Sequence, residues 1–323
     1  MRIRLRRLAA AALVFCGLPT LAWAQNWPQK PIKLIVPFAA GGGTDFIGRL
    51  MARQLSERLG QQVYVENRGG ANGAIGLQAL AQSEPDGYTI AAASDTTMVV
   101  NPWLNDKLPY DPIRDFIPVA TMVKFPGLLA VHPSVPARSV AELISLARAK
   151  PGELAYATGG NGNFGHLAAE LFSMATGIKM LPVHYKGVGP ATMGILGGDV
   201  QVTFNNIQTS LEHVRAGKMI AIAVNEPQRV PSLPDLPTVA ETVPGFEMAP
   251  WVGIIVPAKT PSDIVERLGR EVMAVMNNPE VIKLLTDQYV LPRSIDGKAF
   301  GELIKTDLDR WGRVIRAAAI KAE

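Results

Sequence analysis

The feature that most constrains this chain is a short apolar strand that runs directly into a glycine-rich loop and then into a helix, and it occurs in both halves. Ile32-Lys33-Leu34-Ile35-Val36 leads into Ala39-Ala40-Gly41-Gly42-Gly43-Thr44-Asp45. Phe46, Ile47, Leu50, Met51, Leu55 and Leu59 then keep helical spacing until Gly60, with Thr44 or Asp45 as the expected cap. Residues 154–157 lead likewise into Thr158-Gly159-Gly160-Asn161-Gly162-Asn163, followed by Phe164, Leu167, Ala168, Leu171 and Phe172 on one helical face. Strands alternating with helices at this spacing argue for βαβ units, a mostly parallel sheet and an α/β fold. In such sheets ligands gather where strands end and helices begin, because the free N–H groups and the positive dipole end point outward there. One matched loop in each half predicts a cleft lined by backbone donors from both sides, suited to a small anion and above all to a carboxylate.

A chain of 323 residues is long enough for two lobes. Proline-rich stretches around residues 101–118 and 227–250 predict two crossings between them, with a hinge and a cleft. The expected division is a leader over 1–24, lobe 1 over 25–124 and 245–323, and lobe 2 over 125–244. After strand 251–256 the tail from Pro261 reads as helical to the end.

Arg2, Arg4, Arg6 and Arg7 precede an apolar run from Leu8 to Leu18 and the small-x-small triplet Ala22-Trp23-Ala24, the pattern of a cleavable signal peptide. That run is shorter than the ~20 residues a membrane-spanning helix needs. Of the 32 basic residues four lie in this leader, which leaves 28 against 28 acidic ones and no electrostatic case for nucleic acid. The only cysteine, Cys16, is also in the leader, so the mature chain offers no disulfide and no thiolate. Export to the periplasm is expected, through the general or, given Arg6-Arg7, the twin-arginine route.

Enzymatic signatures are missing. No Gly-x-x-x-x-Gly-Lys-Ser/Thr element, no dinucleotide fingerprint, no His-Glu-x-x-His and no Gly-x-Ser-x-Gly occurs, and His132, His166, His184 and His213 are scattered. No cofactor, metal site or catalytic residue is therefore expected. His166, at the mouth of a helix, is a candidate cleft residue. Lys186 beside Tyr185 is either a cleft residue or a solvated lysine. Asp45 either accepts a hydrogen bond from a ligand ammonium or hydroxyl, or serves the helix start.

Pro37-Phe38-Ala39-Ala40-Gly41-Gly42-Gly43-Thr44-Asp45, Glu66-Asn67-Arg68-x-Gly70-Ala71-x-Gly73, Tyr110-Asp111-Pro112-x-x-Asp115-Phe116-x-Pro118 and Tyr185-Lys186-Gly187-x-x-Pro190-Ala191 resemble, in this order, the Bug (TctC-like) solute receptors of tripartite tricarboxylate transporters. The resemblance covers essentially the whole mature chain. It implies a periplasmic binding protein of two α/β lobes around a Venus-flytrap cleft, holding a ligand carboxylate through backbone amides and waters; a monomer suits such a hinged capture protein. Matched by motif, its site comprises Phe38, Ala40, Gly41, Gly42, Gly43, Thr44 and Asp45 from lobe 1. Thr158, Gly160, Asn161, His166, Tyr185, Lys186 and Asn205 come from lobe 2. A membrane permease or a sensor kinase is the implied partner. Ser94-Asp95-Thr96-Thr97 departs from the pattern, and an acidic Asp95 at the cleft favours a ligand carrying an amino or hydroxyl group over a bare dianion. An enzyme on the same scaffold is the competing class.

Overall fold

The computed structural model describes residues 27–321, so the expected signal peptide lies outside the described residues. In chain order, the first lobe runs through β1 (Ile32–Val36), α1 (Gly43–Leu59), β2 (Val63–Asn67), α2 (Ala74–Ala81), β3 (Thr89–Ser94), α3 (Asn101–Leu104) and β4 (Phe116–Lys124). The second lobe follows with β5 (Gly127–Val131), α4 (Val140–Ala149), β6 (Ala155–Thr158), α5 (Phe164–Thr176), β7 (Leu181–His184), α6 (Val188–Gly197), β8 (Val202–Asn206), α7 (Ile207–Arg215) and β9 (Ile220–Val224). The chain then returns through β10 (Trp251–Pro257), α8 (Ser262–Met276), α9 (Pro279–Asp287), β11 (Leu291–Pro292) and α10 (Gly297–Ala317).

Two sheets result, one of six strands in the order β11-β4-β10-β3-β1-β2 and one of five in the order β7-β6-β8-β5-β9. β1 pairs parallel with β2 and β3, and β6 with β7 and β8, as the βαβ reading requires. The expectation of a mostly parallel sheet is corrected elsewhere: β10 runs antiparallel to β3 and β4, and β5 antiparallel to β8 and β9. These strands flank the crossings. β5 and β10 each enter their sheet from the other lobe and not through a helix packed on that sheet, so the right-handed crossover that forces parallel pairing does not apply to them. The expected all-helical tail is likewise interrupted, because β11 adds a short strand to β4 at Val123 and Lys124.

β1 is apolar at nearly every position and buried on both faces, with Ile32, Leu34 and Val36 fully enclosed. Burial of this kind is what a central strand covered by helices requires. The two crossings lie side by side, since the Phe125 N–H donates to the Pro250 carbonyl at 2.8 Å. Phe246, placed by sequence in lobe 1, stacks its ring near Phe172 and Phe204, so lobe 2 extends past residue 244. Trp251 closes the hinge region: its indole N–H donates to Asp307 at 2.9 Å, and its ring stands edge-on to Phe300 at 5.0 Å. α10 packs over β4 of lobe 1 and also reaches α5 of lobe 2. Among the described residues no helix is long and apolar enough to cross a membrane.

Candidate functional site

The first glycine loop owes its shape to a buried carboxylate. Helix α1 begins at Gly43 with Gly42 as its N-cap, and no side chain caps it, which corrects the expectation for Thr44 and Asp45. Asp45 reaches back instead. Its carboxylate accepts from the Gly41 N–H at 2.9 Å, Arg49 Nε at 2.9 Å and Asn67 Nδ2 at 2.8 Å. Burial works against its charge, but the bonds from Arg49, Gly41 and Asn67 outweigh it and hold the carboxyl below its ordinary range. Asp45 is thus spent on organising the loop. Gly41, at φ +89°, takes the left-handed turn that this arrangement needs.

In the second lobe the same task falls to neutral groups. The Thr158 hydroxyl lies 2.7 Å from both the Gly160 carbonyl and Asn163 Oδ1. Asn163 caps α5 by accepting from the His166 N–H at 3.0 Å. His166 Nδ1 accepts from the Gly162 N–H at 3.1 Å, so its ring proton sits on Nε2. Burial, and secondarily the neighbouring His184 ring at 4.8 Å, push its pKa down to about 4. Gly160 and Gly162, at φ +131° and +69°, supply the turns.

Between the lobes lies a cavity of about 680 Å³. From lobe 1 it is lined by Phe38, Ala71, Asn72, Thr96, Asn101, Leu104 and Asn105, and from lobe 2 by residues 159–164. Five of these are asparagines, and no lining side chain is charged. Phe38, Leu104 and Phe164 form its apolar surface. A recess of about 30 Å³ opens beside it where α5 and α6 begin, lined among others by Thr158, Gly159, Asn163, Val188 and Asn205.

Of the residues singled out by sequence, Phe38, Gly160 and Asn161 line the cavity, while Thr158 and Asn205 line the recess. Ala40, Gly41, Gly42 and Gly43 are exposed and Thr44 partly so, outside the cavity lining. The second glycine-rich loop of lobe 1 takes the place expected of the first. The two loops pack together so tightly that a methyl on Gly69 would lie 3.2 Å from the Ala39 nitrogen. His166 stands behind its loop. The Tyr185 ring lies against Gly194 of α6, and Lys186 is exposed. Ser94 is occupied with Thr97, through its N–H to the Thr97 hydroxyl at 3.0 Å.

Asp95 requires a correction. It points into a separate enclosed cavity of about 50 Å³ at the hinge, with Glu247, Arg293, Asp307 and Arg310, rather than into the cleft. Burial first, and then Asp307, push its pKa up to about 7. The residue that enters the cleft from this segment is its neighbour Thr96.

Asn72, Asn101, Leu104 and Asn105 carry no motif of their own. The available signal for Asn72 is its place in Gly70-Ala71-Asn72-Gly73. There Ala71 and Asn72 adopt φ +47° and +50°, a conformation that non-glycine residues rarely take outside constrained sites. The Asn72 carbonyl accepts from Asn101 Nδ2 at 3.0 Å, which joins the two lining segments.

The family model described as "Tripartite tricarboxylate transporter family receptor" matches residues 47–320. Protein BugT of Bordetella pertussis is 34% identical over 324 residues, covering 99% of each chain. Among solved structures, R. palustris Rpa4515 with adipate shares 36% identity at a TM-score of 0.78, over 92% of this chain and 100% of that one. MatC (Rpa3494) from Rhodopseudomonas palustris with bound malate shares 29% at 0.73, over 90% and 100%. The architecture common to them is the two-lobe α/β fold of periplasmic binding proteins.

Proposed function

This chain belongs to the tripartite tricarboxylate transporter receptor family, whose members are solute receptors and not enzymes, and from that premise we propose that it captures a small dicarboxylate between its lobes. The observation that carries this reading is the neutral lining of the cavity, in which asparagine amides, the Thr96 hydroxyl and the N–H groups of Gly159 and Asn161 are polar contacts for a ligand. Such donors suit carboxylate oxygens. With no acidic side chain in the lining, a ligand ammonium would be desolvated without a counter-charge, which disfavours amino acids. The proposal therefore replaces the amino- or hydroxyl-bearing ligand inferred from Asp95. Phe38, Leu104 and Phe164 suit a hydrocarbon spacer, and the adipate in Rpa4515 has that chemistry.

On this reading the glycine loops act in two ways. In the loop 159–163 the N–H groups of Gly160, Gly162 and Asn163 bond within lobe 2, which leaves those of Gly159 and Asn161 for a ligand, and the loop 40–45 shapes the lobe 1 wall through Asp45 and Asn67. The signal peptide expected from the sequence supports a periplasmic location, and the family supports delivery to a membrane permease or sensor. A monomer suits the hinged capture of one small molecule.

Thermal unfolding of the mature chain against adipate, malate, an aromatic acid and aspartate tests the reading. A ligand at about a thousand times its dissociation constant adds ~4 kcal/mol, which raises the midpoint by several degrees. A shift with adipate larger than with aspartate is expected; a shift with aspartate alone overturns the proposal.

A further inference from the structure

The C-terminal half of α10 belongs to lobe 1 but touches the ligand loop of lobe 2 along two routes. Through the first it anchors α3. Trp103 Nε1 donates to the Leu308 carbonyl at 2.9 Å, the Arg316 guanidinium lies 4.6 Å above the Trp103 ring, and Gly312 leaves room for that ring, since a methyl there would come within 2.5 Å of it. Trp103 thereby fixes its neighbour Leu104, which lines the cavity and sits against Gly162: a methyl on Gly162 would lie 2.5 Å from Leu104 Cδ1. Through the second route the helix end itself reaches across. Ala319 takes a left-handed turn at φ +50°, the Ile320 N–H donates back to the Ile315 carbonyl at 3.0 Å, and Ile320 is buried. This turn presents the Lys321 carbonyl to Asn161 Nδ2 at 2.6 Å.

We propose that the end of α10 is a clasp across the ligand cleft, with Leu104 and the Asn161–Lys321 hydrogen bond setting how long the lobes stay together and hence how long a ligand is retained. The inference rests on this cleft being the ligand site. Neither contact belongs to the hinge, so each can break without disturbing the crossings. Asn161 is tied to Lys321 and lines the cavity, which couples the last turn of the chain to ligand capture.

The test reads lobe separation without any ligand. Since the only cysteine lies in the expected leader, the mature chain accepts a clean pair of spin labels at Arg53→Cys and Met193→Cys, both exposed and one in each lobe. Distances are measured by pulsed electron resonance in protein stripped by unfolding and refolding, with Leu104→Ala, Asn161→Leu and the double variant compared with the parent. Loss of one hydrogen bond or one small apolar contact is expected to raise the separated population about fivefold, and the double variant is expected to exceed either single one. Circular dichroism establishes that the variants are folded. Unchanged distance distributions in folded variants overturn the clasp. Failure of the dicarboxylate reading shows separately, in the carboxylate panel and not in the distances.

Discussion

The imidazole of His166 stands behind the ligand loop and accepts the Gly162 N–H at 3.1 Å, so a buried neutral ring holds in place the backbone that faces the cleft. With its folded pKa at about 4, below the ordinary 6.5, the folded state binds fewer protons than the unfolded chain between those values. The stabilisation is complete above about pH 6.5 and is lost as the pH falls toward 4. In urea unfolding across this range His166 is expected to contribute a slope of one proton's linkage, with stability rising with pH, against an opposite slope from Asp95, whose carboxyl is pushed up to about 7. His166→Asn, whose amide oxygen can replace Nδ1, is expected to flatten that slope and keep ligand binding. His166→Ala is expected to flatten it and weaken binding as well.

Asp45 makes the corresponding prediction in lobe 1. Replacement by Ala removes three charge-assisted hydrogen bonds, to Gly41, Arg49 and Asn67. It is expected to cost about 2–3 kcal/mol in urea unfolding. Its carboxyl pKa is depressed in the folded state, so this stabilisation is present above the ordinary carboxylate pKa and disappears as the pH drops through the lower folded value. The difference between wild type and Asp45→Ala should therefore narrow in acid; a constant gap would mean that the carboxylate is not the stabilising group.

Gly159 has little room for a side chain. A methyl there would lie 2.9 Å from the Val188 nitrogen and 3.0 Å from the Gly187 carbonyl carbon, both backbone atoms that cannot rotate away. Gly159→Ala is expected to lower stability by about 1–3 kcal/mol. Because the clash parts the loop 159–163 from the start of α6, ligand affinity should fall at least tenfold, read by calorimetry with whichever carboxylate shifts the midpoint. Gly152→Ala, where a methyl meets nothing but φ is +77°, is the comparison, with a smaller stability loss and unchanged affinity.

Lys124, at the end of β4, bonds Glu247 and lies 3.4 Å from Glu226, and both Lys124 and Glu226 are largely buried. Lys124→Met leaves two acidic groups at the crossing without their cation. A loss of about 3–5 kcal/mol is expected, and Glu226→Gln in the same background should recover part of it. No recovery would mean that Glu226 is not charged in the folded protein.

Much of the fold is legible in the sequence because each βαβ unit is a local object. Apolar runs, helical spacing and glycine stops place β1, α1, α5 and their loops within a residue or two. The antiparallel pairings of β5 and β10 are not legible, since they depend on which sheet a strand joins after a crossing. Asp95 and Thr96 show the limit for the site. Both follow β3, but one faces a buried hinge cavity and the other the cleft, a difference set by a helical turn beginning at Thr96 and not by residue type. Asn72, Asn101 and Asn105 escape for the same reason: an asparagine near a loop is ordinary until tertiary packing brings several to one wall. The glycine loop 158–163 is readable because its constraint is intrinsic to the backbone.

A cleft walled by amides rather than by fixed charges has a consequence for the medium in which it works. Ionic atmospheres weaken attraction between opposite charges, but they act little on a carboxylate held by neutral dipoles in an enclosed space. On the proposed dicarboxylate reading, affinity should then change little between dilute and salt-rich solution, which calorimetry at two salt concentrations would show.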